Sequence, residues 1–181
     1  MFSLKNETKP TRIRLLLLCL AVWVISCSIS LGYGDRLLLG SYAKMNDDDV
    51  KYVQTADTLL RTGVLTYNTV SEPSTFIMPV FPLLLAGVKW LAGDEGGIAL
   101  LRIVQSAFQA FGVYLMFVLA RRVFKNTSVA MTAAILLAFY LPDYFISASI
   151  LTESTFRLCL MLTVCFLLRA IDKPTAVAWA G

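Results

Sequence analysis

The sequence contains no histidine and carries little charge, with 15% charged and 57% hydrophobic residues among its 181. Without histidine, zinc-protease helices, Ser-His-Asp triads and Cys-His pairs are excluded within this chain. Its four cysteines form no C-x-x-C pair, so neither a metal knuckle nor a redox motif is supported, and we interpret them as packing residues. This composition is too apolar for an ordinary soluble domain.

The sequence contains three long runs without charged residues. Residues 15–34, 103–120 and 126–142 contain no Asp, Glu, Lys or Arg, and a helix needs about 20 apolar residues to cross the hydrocarbon core. The first run is long enough to span and lacks an Ala-x-Ala-like exit, so we interpret it as an anchor, not a cleaved signal peptide. The predicted fold class is all-α: a polytopic transmembrane helical protein of about four spans, at 13–33, 99–120, 127–147 and about 154–171.

Basic residues predict the orientation of these spans. The basic N-terminus and the loop "RRVFKN" (121–126) lie on the same, cytoplasmic side only if segment 76–93 does not cross the membrane. Pro79 and Pro82 favour a broken, interfacial element there. We therefore expect an integral protein of the bacterial inner (cytoplasmic) membrane with a cytoplasmic N-terminus (1–14), a first transmembrane helix (15–33), an extracytoplasmic loop with interfacial helices (34–98), three transmembrane helices (99–171), and a cytoplasmic turn with the start of a further span (172–181).

The densest negative charge lies in "NDDDVKYVQTADTLLRTG" (46–63), inside that predicted external loop. Asn46 or Asp47 can cap a helix that begins near Asp48, and Gly63 can end it. Helix capping alone would explain the acids. Alternatively, a carboxylate near the hydrocarbon boundary suits a general base, and paired acids suit a divalent metal that bridges a phosphate. Helical spacing predicts one face of Tyr52, Thr55, Ala56 and Leu59, with Lys51, Thr58 and Arg61 more exposed.

Four segments together resemble a known family. "DDVKYVQTADTLLRTG" resembles the Asp-[Asp/Glu]-x-x-Tyr-x-x-x-Ala-x-x-Leu…Gly pattern in the first external loop of GT-C glycosyltransferases. The branch is the bacterial one related to protein O-mannosyltransferases and lipid A aminoarabinose transferases. "MPVFPLLLAGVKWLAG" is similar to its Pro-Pro-Gly-Tyr-Pro-Leu-Leu-Leu segment, "ALLRIVQSAFQAFGVYLMFVLARRVFKN" to its second span, and "LPDYFISASILTESTF" to the turn between its third and fourth spans.

This resemblance implies an enzyme that transfers a sugar from a polyprenyl-phosphate donor to an acceptor hydroxyl on the extracytoplasmic face. The acceptor would be a lipid, a glycan or a protein, and the transfer would invert the anomeric configuration. The resemblance implies no required cofactor, with a divalent metal as an option, and no nucleic-acid partner. The alternative is a non-catalytic small membrane subunit or lipid-carrier scaffold, whose aspartates only cap an interfacial helix.

The resemblance also assigns candidate catalytic residues. Asp48 occupies the first acidic position and is the expected general base. Asp49 occupies the second, where it would orient the acceptor, bind metal or support the helix. Arg102, at the outer mouth of the second span, is expected either to meet the donor phosphate or to anchor the helix at the interface.

Two further residues are candidates for substrate binding. Glu153 either faces the same cavity or pairs with Arg157 four residues later. Tyr52 either contacts the sugar or belongs to an aromatic belt at the membrane interface. The chain departs from the family pattern at Phe81, which lacks the hydroxyl of the usual tyrosine. It is also shorter than family members with nine or more spans, so we expect an N-terminal portion of such an enzyme.

Overall fold

The computed structural model describes residues 4, 7–44, 46–67, 69–71 and 78–172. All regular structure in these residues is helical, as the sequence predicts. The predicted start of a further span, after Asp172, lies outside the described residues. The six α-helices are α1 (Lys9–Tyr33), α2 (Asp48–Thr62), α3 (Val80–Phe124), α4 (Thr127–Ala138), α5 (Leu141–Ala148) and α6 (Glu153–Asp172), with a 3-10 turn at Gly34–Leu37 after α1.

Three of the described helices are long and apolar enough to cross a membrane: α1, α3 and α6. Helices α4 and α5 meet at a 51° bend and pass the same test as a pair, which makes a fourth candidate span. Pro142 lies in the first turn of α5, where proline is tolerated, and it disfavours a helical conformation in the residue before it. The Tyr144 hydroxyl donates a hydrogen bond to the carbonyl of Ala138 at 2.7 Å, so a carbonyl freed by the bend is satisfied.

Helix α3 is interrupted at Gly93, whose φ of 76° favours glycine. The two parts of the helix meet closely beyond this break, because a Cβ on Gly97 would lie 2.5 Å from the Cα of Lys89. The sequence predicts a broken element over residues 76–93 from Pro79 and Pro82. These prolines lie at the start of the helix, where their missing N–H groups cost nothing, and the break lies at Gly93, the last residue of that segment.

Helix α3 is the central element and contacts each of the other five helices. Residues 110–120 of α3 pack against α1 and α4 through small and apolar side chains. Alanines spaced four apart on α4 allow the backbones to approach closely. The residues of this cluster include Leu15 and Val22 on α1, Ala110, Val113 and Phe117 on α3, and Ala130, Ala134 and Ala138 on α4.

Helix α2 packs its apolar face on the first part of α3. Val53 and Ala56 are buried there together with Phe81 and Leu85. Gly63 ends α2 in the left-handed conformation, as predicted, and its N–H bonds the carbonyl of Leu59. The predicted buried face is confirmed for Tyr52, Thr55 and Ala56, whereas Leu59 is only partly buried and Thr58, expected to be more exposed, is buried.

Candidate functional site at the start of helix α2

Asp48 is the first residue of α2, and its carboxylate is exposed to solvent. The hydroxyl of Tyr67 donates a hydrogen bond to Asp48 Oδ1 at 2.8 Å. Burial and the adjacent Asp48 carboxylate together raise the pKa of Tyr67 to about 12, so this phenol remains a donor at neutral pH. The Asp48 carboxylate is therefore held by one neutral hydroxyl while it stays accessible.

The predicted N-cap hydrogen bond is absent from the start of α2. Asp47 occupies the cap position with a φ of 64° and makes no side-chain capping bond. Asn46 accepts a hydrogen bond from the Ser41 amide at 3.0 Å and donates one to Asp47. The expectation that either side chain caps the helix was wrong, because both are used to organise the preceding loop.

Asp49 is fully buried, and its carboxylate accepts hydrogen bonds from backbone amides. The Leu39 N–H lies 2.6 Å from Oδ2, and the N–H groups of Gly40 and Val50 lie 3.1 Å and 2.8 Å from Oδ1. Bonds of this kind stabilise an ionised carboxylate. Asp49 therefore fastens the loop after α1 to the start of α2, which is a positioning contact.

Tyr52 lies one turn after Asp48 on α2 and is buried. Its ring packs edge-on against Phe81, with centroids 5.1 Å apart and planes at 72°. Burial raises the pKa of Tyr52, the charges of Asp48 and Glu153 raise it further, and a hydrogen bond with Thr152 opposes the rise. The phenol of Tyr52 thus lies within electrostatic reach of both acids.

Glu153 begins α6 and is exposed. Its expected partner, Arg157, instead forms an ion pair with the buried Asp143 on α5, so the predicted pair within α6 was wrong. Glu153 makes no ion pair with any described residue. Asp48 and Glu153 therefore each lie within electrostatic reach of Tyr52, which hydrogen-bonds Thr152 in the turn before α6.

Arg102 is 5% exposed and lies on α3 beneath the end of α1. Its Nε donates to the Ala148 carbonyl at 3.0 Å, and Nη1 forms an ion pair with the exposed Asp35 at 2.9 Å. Nη2 is buried without a hydrogen-bond partner among the described residues. The guanidinium packs against Gly34, where a Cβ would lie 2.4 Å from its central carbon.

The charges of Arg102 and Asp49 both affect the pKa of Tyr42. Burial raises the pKa of Tyr42, the positive charge of Arg102 lowers it, and Asp35 and Asp49 raise it. Arg102 and Asp49 therefore both lie within electrostatic reach of one phenol. They flank the same loop, although they do not contact each other in the described hydrogen bonds and ion pairs.

Polar residues beyond the candidates predicted from the sequence hold the turn between α5 and α6 against α3. Gln105 donates to the Leu151 carbonyl at 3.0 Å, and the Ser147 hydroxyl donates to Gln109 at 3.1 Å. With the Arg102–Ala148 bond and the Asp143–Arg157 pair, they fix the segment that leads to Thr152 and Glu153. A sequence signal existed: Arg102, Gln105, Ser106 and Gln109 have the spacing of one helix face.

The donor set for a divalent metal is limited here. Asp48 and Asp49 are adjacent in sequence, yet one carboxylate bonds Tyr67 and the other bonds amides of the loop 39–40. Across the described ranges, no group of three or more Asp, Glu, Cys or His side chains converges on one point. The two acids do not form a paired ligand set in this arrangement.

Comparison with known families identifies the chain. The family model of dolichyl-phosphate-mannose-protein mannosyltransferases matches residues 71–181, which is more than half of the sequence. The match includes Arg102 and Glu153 and begins after α2, so the aspartates lie before it. No curated protein and no solved structure matches the chain. With its apolar helices, the chain belongs to the dolichyl-phosphate-mannose-protein mannosyltransferase family and is a membrane glycosyltransferase of the GT-C type.

Proposed function

We propose that this protein transfers a sugar from a polyprenyl-phosphate donor to an acceptor hydroxyl, with inversion at the anomeric carbon and Asp48 as general base. The observation that carries the proposal is the difference between two adjacent acids. Asp48 is exposed and accepts a hydrogen bond from Tyr67, whereas Asp49 is buried and its carboxylate accepts hydrogen bonds from backbone amides. A general base must reach the proton that it removes, and only the first of these carboxylates is accessible.

The reaction needs one proton transfer and one displacement. The acceptor oxygen attacks the anomeric carbon, its proton passes to the Asp48 carboxylate, and the bond from that carbon to the phosphate oxygen breaks. The bonding electrons leave with the phosphate. Mannose is the first donor sugar to test, because the family description names it.

A cation must stabilise the leaving phosphate, and Arg102 is the candidate. Its buried Nη2 has no described hydrogen-bond partner, and its Nη1 pairs with an exposed aspartate, Asp35, that a phosphate oxygen can replace. Tyr52 lies one turn after Asp48, and Glu153 lies within electrostatic reach of Tyr52. Both residues are proposed to contact the sugar or the acceptor.

The proposed extracytoplasmic location rests on charge, and one contact supports it. Glu7 forms an ion pair with Arg121 at 2.6 Å, so the N-terminal segment and the basic loop after α3 lie at the same end of the bundle. Cytoplasmic placement of that end satisfies the positive-inside rule. We propose the bacterial inner membrane, with a cytoplasmic N-terminus and the Asp48 region on the outer side.

The decisive experiment measures transfer of radiolabelled mannose from polyprenyl-phosphate mannose in membranes that contain the full-length protein. Asp48→Asn keeps the shape of the side chain but removes the base, so we expect transfer to fall at least 100-fold, since general base catalysis contributes about 10²–10⁴-fold. Asp47→Asn is the matched control, because Asp47 is an exposed aspartate next to Asp48 and its substitution is expected to leave transfer unchanged.

Retained transfer in Asp48→Asn at normal protein abundance would eliminate Asp48 as the base, and loss in Asp47→Asn alone would reassign the role to that residue. A chelator provides the test for metal. We propose that no divalent metal is required, because the carboxylates of Asp48 and Asp49 bond different partners. Transfer that stops with chelator and returns with added metal would contradict this.

A further inference from the structure

A cavity of about 300 Å³ lies at the opposite end of the bundle from Asp48, between α1 and α4. Four of its six lining residues carry a hydroxyl group, one is an arginine that contributes a positive charge, and one is a methionine. Cavities of this kind between membrane helices suit oxygen-rich anions. The lining residues are Thr11, Arg14, Thr127, Ser128, Met131 and Thr132.

The positive charge of this cavity is not neutralised within the described part of the chain. Arg14 is exposed and forms no described ion pair. The nearest acid in sequence, Glu7, is occupied by Arg121 and by the hydroxyl of Thr127. Asp172, which lies at the same end, pairs with Arg122. An anion that enters the cavity therefore meets an uncompensated guanidinium.

The position of Arg14 along α1 corresponds to the depth of lipid head groups. Helix α1 has 25 residues and is about 37 Å long at 1.5 Å per residue, which exceeds a hydrocarbon core of about 30 Å. Arg14 lies in the second turn, and helical side chains point toward the N-terminus. Its guanidinium therefore extends toward the phosphate layer of one leaflet.

We propose that this cavity binds the phosphate-bearing head group of an anionic phospholipid. Arg14 would pair with the phosphate, and the hydroxyls of Thr11, Ser128 and Thr132 would donate to the remaining oxygens. This site is distinct from the proposed sugar-transfer site and does not depend on that reaction.

Apolar surface next to the cavity selects a lipid over a free phosphate. Leu17 lies one turn along α1 from Arg14 and is 59% exposed. Ile135 lies one turn along α4 from Met131 and is 39% exposed. Both face outward from the bundle at hydrocarbon depth, where an acyl chain attached to a bound head group would run. A free anion would gain nothing from these side chains.

The test compares retention of two lipids that differ only in the head group. Full-length protein in detergent is delipidated, incubated with dioleoyl phosphatidylglycerol or dioleoyl phosphatidylcholine, and examined by native mass spectrometry. We expect preferential retention of phosphatidylglycerol, and a loss of about fivefold in Arg14→Gln, which corresponds to one cation near a head group. Thr132→Val, which removes one donor at similar volume, should show a smaller loss.

Arg169→Gln is the matched control. Arg169 is an exposed arginine in the last turn of α6, at the same end of the bundle, and it does not line the cavity. Unchanged retention in this variant supports a specific site. Equal losses in Arg14→Gln and Arg169→Gln would overturn the proposal in favour of general attraction by basic residues, as would equal retention of the two lipids by the unmodified protein.

A competition experiment separates the two sources of phosphate. Displacement of phosphatidylglycerol by millimolar inorganic phosphate, at constant ionic strength, would overturn the assignment to a lipid, and resistance to displacement supports it. Thermal melting of each variant without lipid shows whether it is folded. Because the Arg14 side chain is exposed, its substitution by Gln should leave the melting temperature nearly unchanged.

Discussion

Asp48 and Asp49 are adjacent in the chain, yet their carboxylates occupy opposite environments. The first is exposed and accepts a hydrogen bond from the Tyr67 hydroxyl at 2.8 Å; the second is fully buried and accepts the Leu39 amide at 2.6 Å. Consecutive helical residues point about 100° apart, so one acid can face the solvent while its neighbour faces the protein. The proposed catalytic role thus falls to Asp48 and the structural role to Asp49, although both side chains are aspartates.

Removal of the charge should destabilise the protein far more at Asp49 than at Asp48. Asp49→Asn replaces a buried carboxylate that accepts several amide bonds, so we expect a loss of about 2 kcal/mol in the free energy of unfolding. Asp48→Asn should change stability by less than about 0.5 kcal/mol, since the side chain is exposed. Thermal melting in detergent is the measurement. Equal melting temperatures for the two variants would contradict the positioning role of Asp49.

Tyr67 should ionise at unusually high pH. Burial and the Asp48 carboxylate raise its pKa to about 12, from an ordinary value of about 10. A group with a raised native pKa contributes stability below its unfolded pKa and loses it as pH rises through the native value. The contribution of Tyr67 should therefore persist to about pH 10 and disappear by about pH 12.

Tyrosinate absorbance during alkaline titration measures this ionisation. Tyr67→Phe should remove one phenol that titrates near pH 12 from the seven tyrosines of the chain. Tyr33→Phe provides a control, because Tyr33 is an exposed residue at the end of α1. Loss of a phenol that titrates near pH 10 in Tyr67→Phe would show that the bond to Asp48 does not form.

The Asp143–Arg157 pair should stabilise the packing of α5 on α6. Asp143 is buried, so Arg157→Gln leaves a buried carboxylate without its partner and should cost about 3 kcal/mol. The exchange Asp143→Arg with Arg157→Asp should recover part of this loss, whereas each change alone should not. Unfolding by titration with a denaturing detergent is the measurement, and an exchange variant no more stable than the singles would contradict a pairwise contact.

Two glycines of α3 should differ in their tolerance of alanine. A Cβ on Gly97 would lie 2.5 Å from the Cα of Lys89, while a Cβ on Gly87 meets nothing within 4 Å. Gly97→Ala should therefore force apart the two parts of the helix on either side of Gly93 and destabilise the protein. Gly87→Ala should be neutral or stabilising by up to about 1 kcal/mol, as expected for alanine in a helix.

Proteolysis and thermal melting together measure this difference. If the contact is as close as the structure has it, Gly97→Ala should melt at a lower temperature and be cleaved faster near Gly93, while Gly87→Ala should match the unmodified protein. Equal tolerance at both positions would mean that the chain does not fold back tightly at Gly93.

The sequence by itself determined the helices, because their signals are local. Uncharged runs indicated three of the four candidate spans, whereas the fourth, in α6, includes Arg157 and Arg169. The second candidate span begins at Val80, well before the predicted residue 99, and Gly63 ended α2 where its left-handed preference predicted. Tertiary structure decided what the polar side chains contact. Arg157 bonds Asp143 and not Glu153, and Asp49 bonds a loop nine and ten residues before it. Helical spacing identifies candidate neighbours within one helix only. A buried charge pairs with whichever partner the packing brings close, because an unpaired buried charge costs far more free energy than an i,i+4 pair on a helix surface supplies.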